Sequence, residues 1–176
     1  MRSKYLLILG CLFIFPVIGL AEGTTSIQVS LCAPFQLSPS DRSVDGFRWD
    51  IIYGVNDDFQ GFDIGIINTS NGNLHGYELG LVNWVDKDFG GAQIGLFNEV
   101  NRHGKGLQLG LVNISKLYYQ GVQISALFND TEEQMRGFQL GLINHAGYLD
   151  GIQIGLLNFN DDSKYLGFLP FINAAF

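Results

Sequence analysis

From Gly61 onward the chain alternates between apolar and polar positions. Apolar residues hold the second, fourth and sixth places of a short phrase, a polar residue the third and glycine nearly always the fifth. The copies read "GFDIGIIN" from Gly61, "GYELGLVN" from Gly76, "GAQIGLFN" from Gly91, "GLQLGLVN" from Gly106, "GVQISALFN" from Gly121, "GFQLGLIN" from Gly137 and "GIQIGLLN" from Gly151. Alternation over six residues predicts a β-strand rather than a helix. Asn ends every phrase. The residues that follow, such as "TSNGNLH" and "WVDKDFG", are polar and turn-rich, and the fourteenth place is usually apolar again (Leu74, Phe89, Tyr119, Met135, Leu149, Leu166). Each unit therefore reads as a strand, a turn near Asn, a shorter return segment and a turn near Gly.

Successive initial glycines lie 15, 15, 15, 15, 16, 14 and 16 residues apart, if "GFLPFIN" from Gly167 is taken as an imperfect eighth copy. "DIIYGVN", ending at Asn56, reads as a worn first copy. Self-similarity at a short fixed period predicts an array in which each unit packs on the next. Two all-β architectures suit it. In a repeat β-solenoid of 15-residue coils, equivalent residues stack at about 4.8 Å, and eighth-slot Asn forms an amide ladder. In this reading the Leu and Ile of slots two, four and six fill a narrow core. Slot three then faces outward and lines up Gln93, Gln108, Gln123, Gln139 and Gln153, with Asp63 and Glu78 continuing the row. The alternative is an up-and-down antiparallel β-barrel in an outer membrane, which needs a lipid-facing band about 25 Å tall. The apolar slots allow roughly seven residues of strand, about 17 Å after tilt, so the pattern favours the solenoid.

Four segments follow from this reading. Residues 1–21 form a secretory signal peptide: Arg2 and Lys4 precede the apolar run "YLLILGCLFIFPVIGL", and Gly19 and Ala21 are small residues suited to cleavage before Glu22. Residues 22–56 are an N-terminal cap segment, 57–166 the tandem array and 167–176 a C-terminal cap, where Pro170 suits an edge. Loss of Arg2 and Lys4 with the signal takes the net charge from −7 to −9. An acidic surface repels phosphate backbones, so nucleic acid is not expected as a partner. Cys11 would leave with the signal, and Cys32 then has no disulfide mate.

Catalytic chemistry is not evident. "GxQxG" lacks the Lys-Ser/Thr of a phosphate loop. His75, His103 and His145 fall in different slots, so stacking does not gather them into a metal site. Acidic clusters beyond the asparagines (Asp57-Asp58, Asp86 with Asp88, Asp130 with Glu132-Glu133, Asp161-Asp162) read as solubilising turns rather than a Ca²⁺ array, since the calcium nonapeptide spacing is absent. Trp49, Trp84, Tyr118 and Tyr119 could line up as an aromatic strip for a glycan or peptide. No catalytic residue, cofactor or metal is expected.

The tandem "GxQxGLxN" units, the preface "IQVSLCAPFQLSP…GFRWDIIYGVN" and the ending "FLPFINAAF" resemble bacterial surface-repeat proteins over nearly everything after residue 25. Ser125 with the inserted Ala126, and Pro170, depart from the pattern. The resemblance implies export and envelope association, without an established activity. The expected function is therefore an extracytoplasmic scaffold or binding surface with no catalysis. Its expected partner is an envelope protein or a polysaccharide. The Gln row is either the strip that binds it or a ladder of amides that satisfy one another, with the ladder favoured. Membrane association is compatible with the reading. The alternative is a small barrel acting as a pore or anchor.

Overall fold

The computed structural model describes residues 23–163 and 166–176. The predicted signal peptide, residues 1–21, lies outside them. Twelve strands follow in order: β1 (Thr25–Cys32), β2 (Phe35–Gln36), β3 (Val44–Asn56), β4 (Phe59–Ser70), β5 (Leu74–Leu79), β6 (Val82–Val85), β7 (Phe89–Ile94), β8 (Phe97–Val100), β9 (His103–Ser115), β10 (Tyr118–Leu140), β11 (Ile143–Asn160) and β12 (Phe168–Ala175).

From β1 to β11 each coil pairs with the next in parallel. Gly61, Gly76, Gly91 and Gly106 stand in register, as do Asn68, Asn83, Asn98 and Asn113. The protein is a β-solenoid, not a barrel, which would need antiparallel neighbours closed on themselves. The 16-residue unit keeps register because the stack shifts between Ser125 and Phe128, where Ala126 is accommodated as a local irregularity. The stack also extends upstream into residues 22–56, where Gln28 pairs with Arg48 and Ser30 with Asp50.

Both ends change direction. β2 folds antiparallel onto β1, and β12 runs antiparallel to β11. "GFLPFIN" is therefore not an eighth coil: Asn173 lies opposite Gln153 instead of joining the eighth-slot row. "DIIYGVN" is also corrected. Its Gly54 occupies the eighth slot opposite Asn68, and Asn56 sits two places later, opposite Ser70.

The largest correction concerns which face is inside. The third and eighth slots are buried, whereas slots two, four and six turn outward. The apolar part of the core comes from the fourteenth slot (Val44, Phe59, Leu74, Phe89, Tyr119, Met135, Leu149) and the tenth (Val85, Val100, Ala146). Its regularity is adjusted locally: Gly104 occupies a fourteenth slot, and a Cβ there would collide with the Tyr119 ring of the next coil.

Glycine explains the inversion. Slots one, three and five share one face of the strand, and two of them lack a side chain. At Gly91, with φ of 142°, a Cβ would run into the Gly76 carbonyl of the preceding coil. At Gly95 it would lie 2.8 Å from Asn83 Nδ2 and 3.1 Å from Asn98 Oδ1. The backbone thus closes tightly around slots three and eight, leaving space for a flat amide and little else.

Candidate functional site

The interior contains two amide ladders of opposite polarity. In the eighth-slot ladder each Asn donates toward the C-terminus: Asn83 Nδ2 to Asn98 Oδ1 (2.8 Å), Asn98 to Asn113 (2.8 Å), Asn113 to Asn129 (2.9 Å) and Asn129 to Asn144 (2.8 Å). The second amide proton goes to the fourth-slot carbonyl of the next coil, as from Asn113 to Ile124 at 2.9 Å. Reversing an amide would place its oxygen against that carbonyl, so the direction is determined.

In the third-slot ladder each Gln donates toward the N-terminus. Gln108 Nε2 meets Gln93 Oε1 at 2.8 Å, Gln123 meets Gln108 at 2.8 Å, Gln139 meets Gln123 at 2.7 Å and Gln153 meets Gln139 at 2.8 Å. Asn173 ends the row by donating to Gln153 Oε1 at 3.0 Å. The expected outward Gln strip is therefore overturned: Gln93, Gln108, Gln123, Gln139 and Gln153 are all 0 % exposed. Stacked at the strand repeat, these five glutamine amides satisfy one another, and none of them has a buried amide atom without a partner. In the Asn ladder the first member, Asn68, keeps an unpaired Oδ1.

Toward the N-terminus the same row becomes charged. Gln93 donates to Glu78 Oε2 at 2.7 Å, and beyond Glu78 come Asp63 and Arg48, all buried. Arg48 hydrogen-bonds Asp63, approaches Asp50 at 3.2 Å without hydrogen-bond geometry, and lies 3.9 Å from Glu78. Its guanidinium also sits 4.7 Å from the centre of the Phe59 ring. Asp50 enters from slot five, and a Cβ on Gly54 would strike its carboxyl group. The usual Gly-at-five, Asn-at-eight arrangement is thus exchanged for Asp-at-five, Gly-at-eight.

One cation faces three carboxylates here. Burial, followed by the charge of Asp63, pushes Glu78 up to about 8, although Arg48 pulls in the other direction. Burial raises Asp50 to about 6 and raises Asp63 as well, again against Arg48. Burial opposes the Arg48 charge, but its carboxylate partners more than offset that, and its pKa rises. At neutral pH Glu78 is therefore protonated, which reduces the excess negative charge in the cluster.

The remaining candidates disperse. His75, His103 and His145 occupy separate places: His103 Nδ1 lies 2.8 Å from Asp88, and His145 sits between Asp130 (2.5 Å) and Asp161 (3.2 Å). Among the described residues no His, Cys, Asp and Glu group is arranged to hold a metal ion. Cys32 is a free, half-buried thiol. The acidic turns serve the coils, as where Asp86 accepts from Trp84 Nε1 at 2.7 Å and from Asn101 at 2.9 Å. The four-membered aromatic strip does not form, because Tyr119 is in the core. A different aromatic row occupies slot two, with Phe47 stacked on Phe62 at 6.3 Å and Phe62 beside Tyr77 at 6.3 Å.

That row belongs to the feature that sequence reasoning missed, an external apolar face. Slot four presents Trp49, Leu79, Ile94, Leu109, Leu140 and Ile154. Slot six presents Ile66, Leu81, Leu96, Leu111, Leu127, Leu142 and Leu156. The clue was the parity of the glycines: two repeated glycines on the same face as Gln mark the side where backbones crowd together. Comparison with family models, with curated proteins and with solved structures finds no match.

Proposed function

We propose that this protein is an exported, non-catalytic scaffold of the bacterial envelope that works through a contact surface. The observation supporting this reading is the division of the rod into a charge-free apolar face and a charged opposite side. Slots two, four and six carry no charged residue from Phe47 to Leu156, while the turns carry Asp86, Lys87, Arg102, Glu132, Glu133 and Asp162. A rod of stacked coils can hold such a face rigid over its whole length. The internal Gln row has no free amides for a polysaccharide, so the apolar face favours a protein partner. The pore reading depended on a barrel and loses that basis. Fusing alkaline phosphatase to the C-terminus and fractionating a bacterial host tests export. Phosphatase activity in the envelope fraction is expected, and an inactive fusion retained in the cytoplasm would overturn the reading.

A further inference from the structure

Among the described residues the apolar face is long, regular and uncovered. Between residues 47 and 157 it comprises three parallel rows, each advancing one side chain per coil. Eight coils at about 4.8 Å and four residue steps at about 3.3 Å give a footprint of roughly 34 by 13 Å between backbone positions. Leu96 is 50 % exposed, Leu156 55 % and Trp49 52 %. With such side-chain relief the apolar accessible area is on the order of 1,000 Å², more than a typical monomer leaves open and enough for one side of a standard interface.

The relief is also shaped. Rows four and six form two ridges on either side of the fifth slot. Over the last coils they border, together with Phe171 and Ile172 of β12, a shallow and open apolar groove of about 570 Å³ that is lined also by Leu140, Leu142, Ile154 and Leu156. A ridge entering such a groove must repeat at the same strand spacing. The face of a second copy has that repeat, and two sheet faces pack about 10 Å apart with interdigitated side chains. An isologous pair would cover both faces at once and leave the charged turns of both copies in water. A lipid surface fits less well, because the chain has 17 acidic against 10 basic residues and would be repelled by anionic headgroups.

From this match of area, repeat and groove we infer that the protein forms a face-to-face homodimer through slots two, four and six. The inference rests on the proposed contact-surface role and names its partner as a second copy of this chain. The test is sedimentation equilibrium of the protein as the host cell processes it, with reductant present to exclude cross-linking through Cys32. The wild type is expected at twice its monomer mass. The triple variant Leu81→Asp, Leu96→Asp, Leu111→Asp should have the monomer mass while keeping its β-sheet circular dichroism. If that variant fails to fold, single Leu96→Asp is used, with an expected weakening of association of at least tenfold. A wild type that is monomeric up to about 100 μM, or a folded variant still dimeric, overturns the inference. So does a monomer that floats with phosphatidylcholine vesicles, which would make lipid the occupant. An envelope-located monomer removes this inference alone, whereas a dimer retained in the cytoplasm removes only the proposed location.

Discussion

Gln108, Gln123 and Gln139 occupy the same slot as Arg48, Asp63 and Glu78, yet the two halves of the row are held in different ways. In the C-terminal half every member is an amide that both donates and accepts, so each coil repeats the solution of the previous one. In the N-terminal half the members are ionic. A carboxylate only accepts, so two cannot stack without a cation or a proton between them. Arg48 supplies the one and Glu78 retains the other. Several carboxylate oxygens, among them Asp63 Oδ1 and Glu78 Oε1, still lack a hydrogen-bond partner. The amide half can be extended indefinitely, whereas the ionic residues interrupt it before the row reaches buried Gln28 beyond Arg48.

The largest effect should come from removing the cation. Arg48→Met leaves Asp50, Asp63 and Glu78 buried without compensation, and should cost about 3–5 kcal/mol in denaturant unfolding. A loss under about 1 kcal/mol would show that the cluster is not held by Arg48.

An interruption of the amide half should cost less. Gln123→Leu deprives Gln108 of a donor and Gln139 of an acceptor, and Asn113→Leu likewise breaks two links of the Asn ladder. In the Asn ladder the polarity is reversed, so that Asn98 loses its acceptor and Asn129 its donor. Each variant should lose about 1–3 kcal/mol, measured by thermal or urea unfolding. Unchanged midpoints would argue against ladders that bear on stability.

The ionic half should also confer pH dependence that the amide half lacks. Glu78 titrates at about 8 in the fold, above its ordinary 4.5, so its contribution is complete below about 4.5 and is lost as pH rises through 8. Asp50, raised to about 6, acts in the same direction at lower pH. His145 is raised to about 9, chiefly by its hydrogen bond to Asp130, and its contribution fades between about 6.5 and 9. Melting temperature should therefore fall from pH 5 to 8. Glu78→Gln, which turns the first carboxylate of the row into another amide, should flatten that decline and stabilise the protein at pH 8. An equally steep decline in the variant would place the proton elsewhere.

The smallest effect should come from the outer face. In the triple-aspartate background, Ile94→Ser at an outward position should change stability by no more than about 0.5 kcal/mol. An apolar-in solenoid would instead lose about 2–4 kcal/mol there, so this variant tests the inversion directly.

Much of the architecture was legible in one dimension. The 15-residue period, the six-residue alternation and the eighth-slot Asn were enough to expect stacked parallel coils, because stacking requires like residues at like positions. The Asn ladder was legible for the same reason, and so was the separation of His75, His103 and His145 into different rows. The ends were less legible: "GFLPFIN" keeps the vocabulary of a coil, but β12 runs antiparallel, and Gly54 takes the slot that Asn56 suggested.

The sequence by itself determined period, strand content and which residues share a row. It did not determine which side of the strand faces inward, because alternation looks the same from either face, and hydrophobicity favours burying Leu and Ile. Only the closed coil settled that choice. The glycines of slots one and five bring backbones too close for branched side chains, and the strand repeat lets amides consume their own donors and acceptors. Polar Gln and Asn thereby become interior residues, and the apolar rows become the surface.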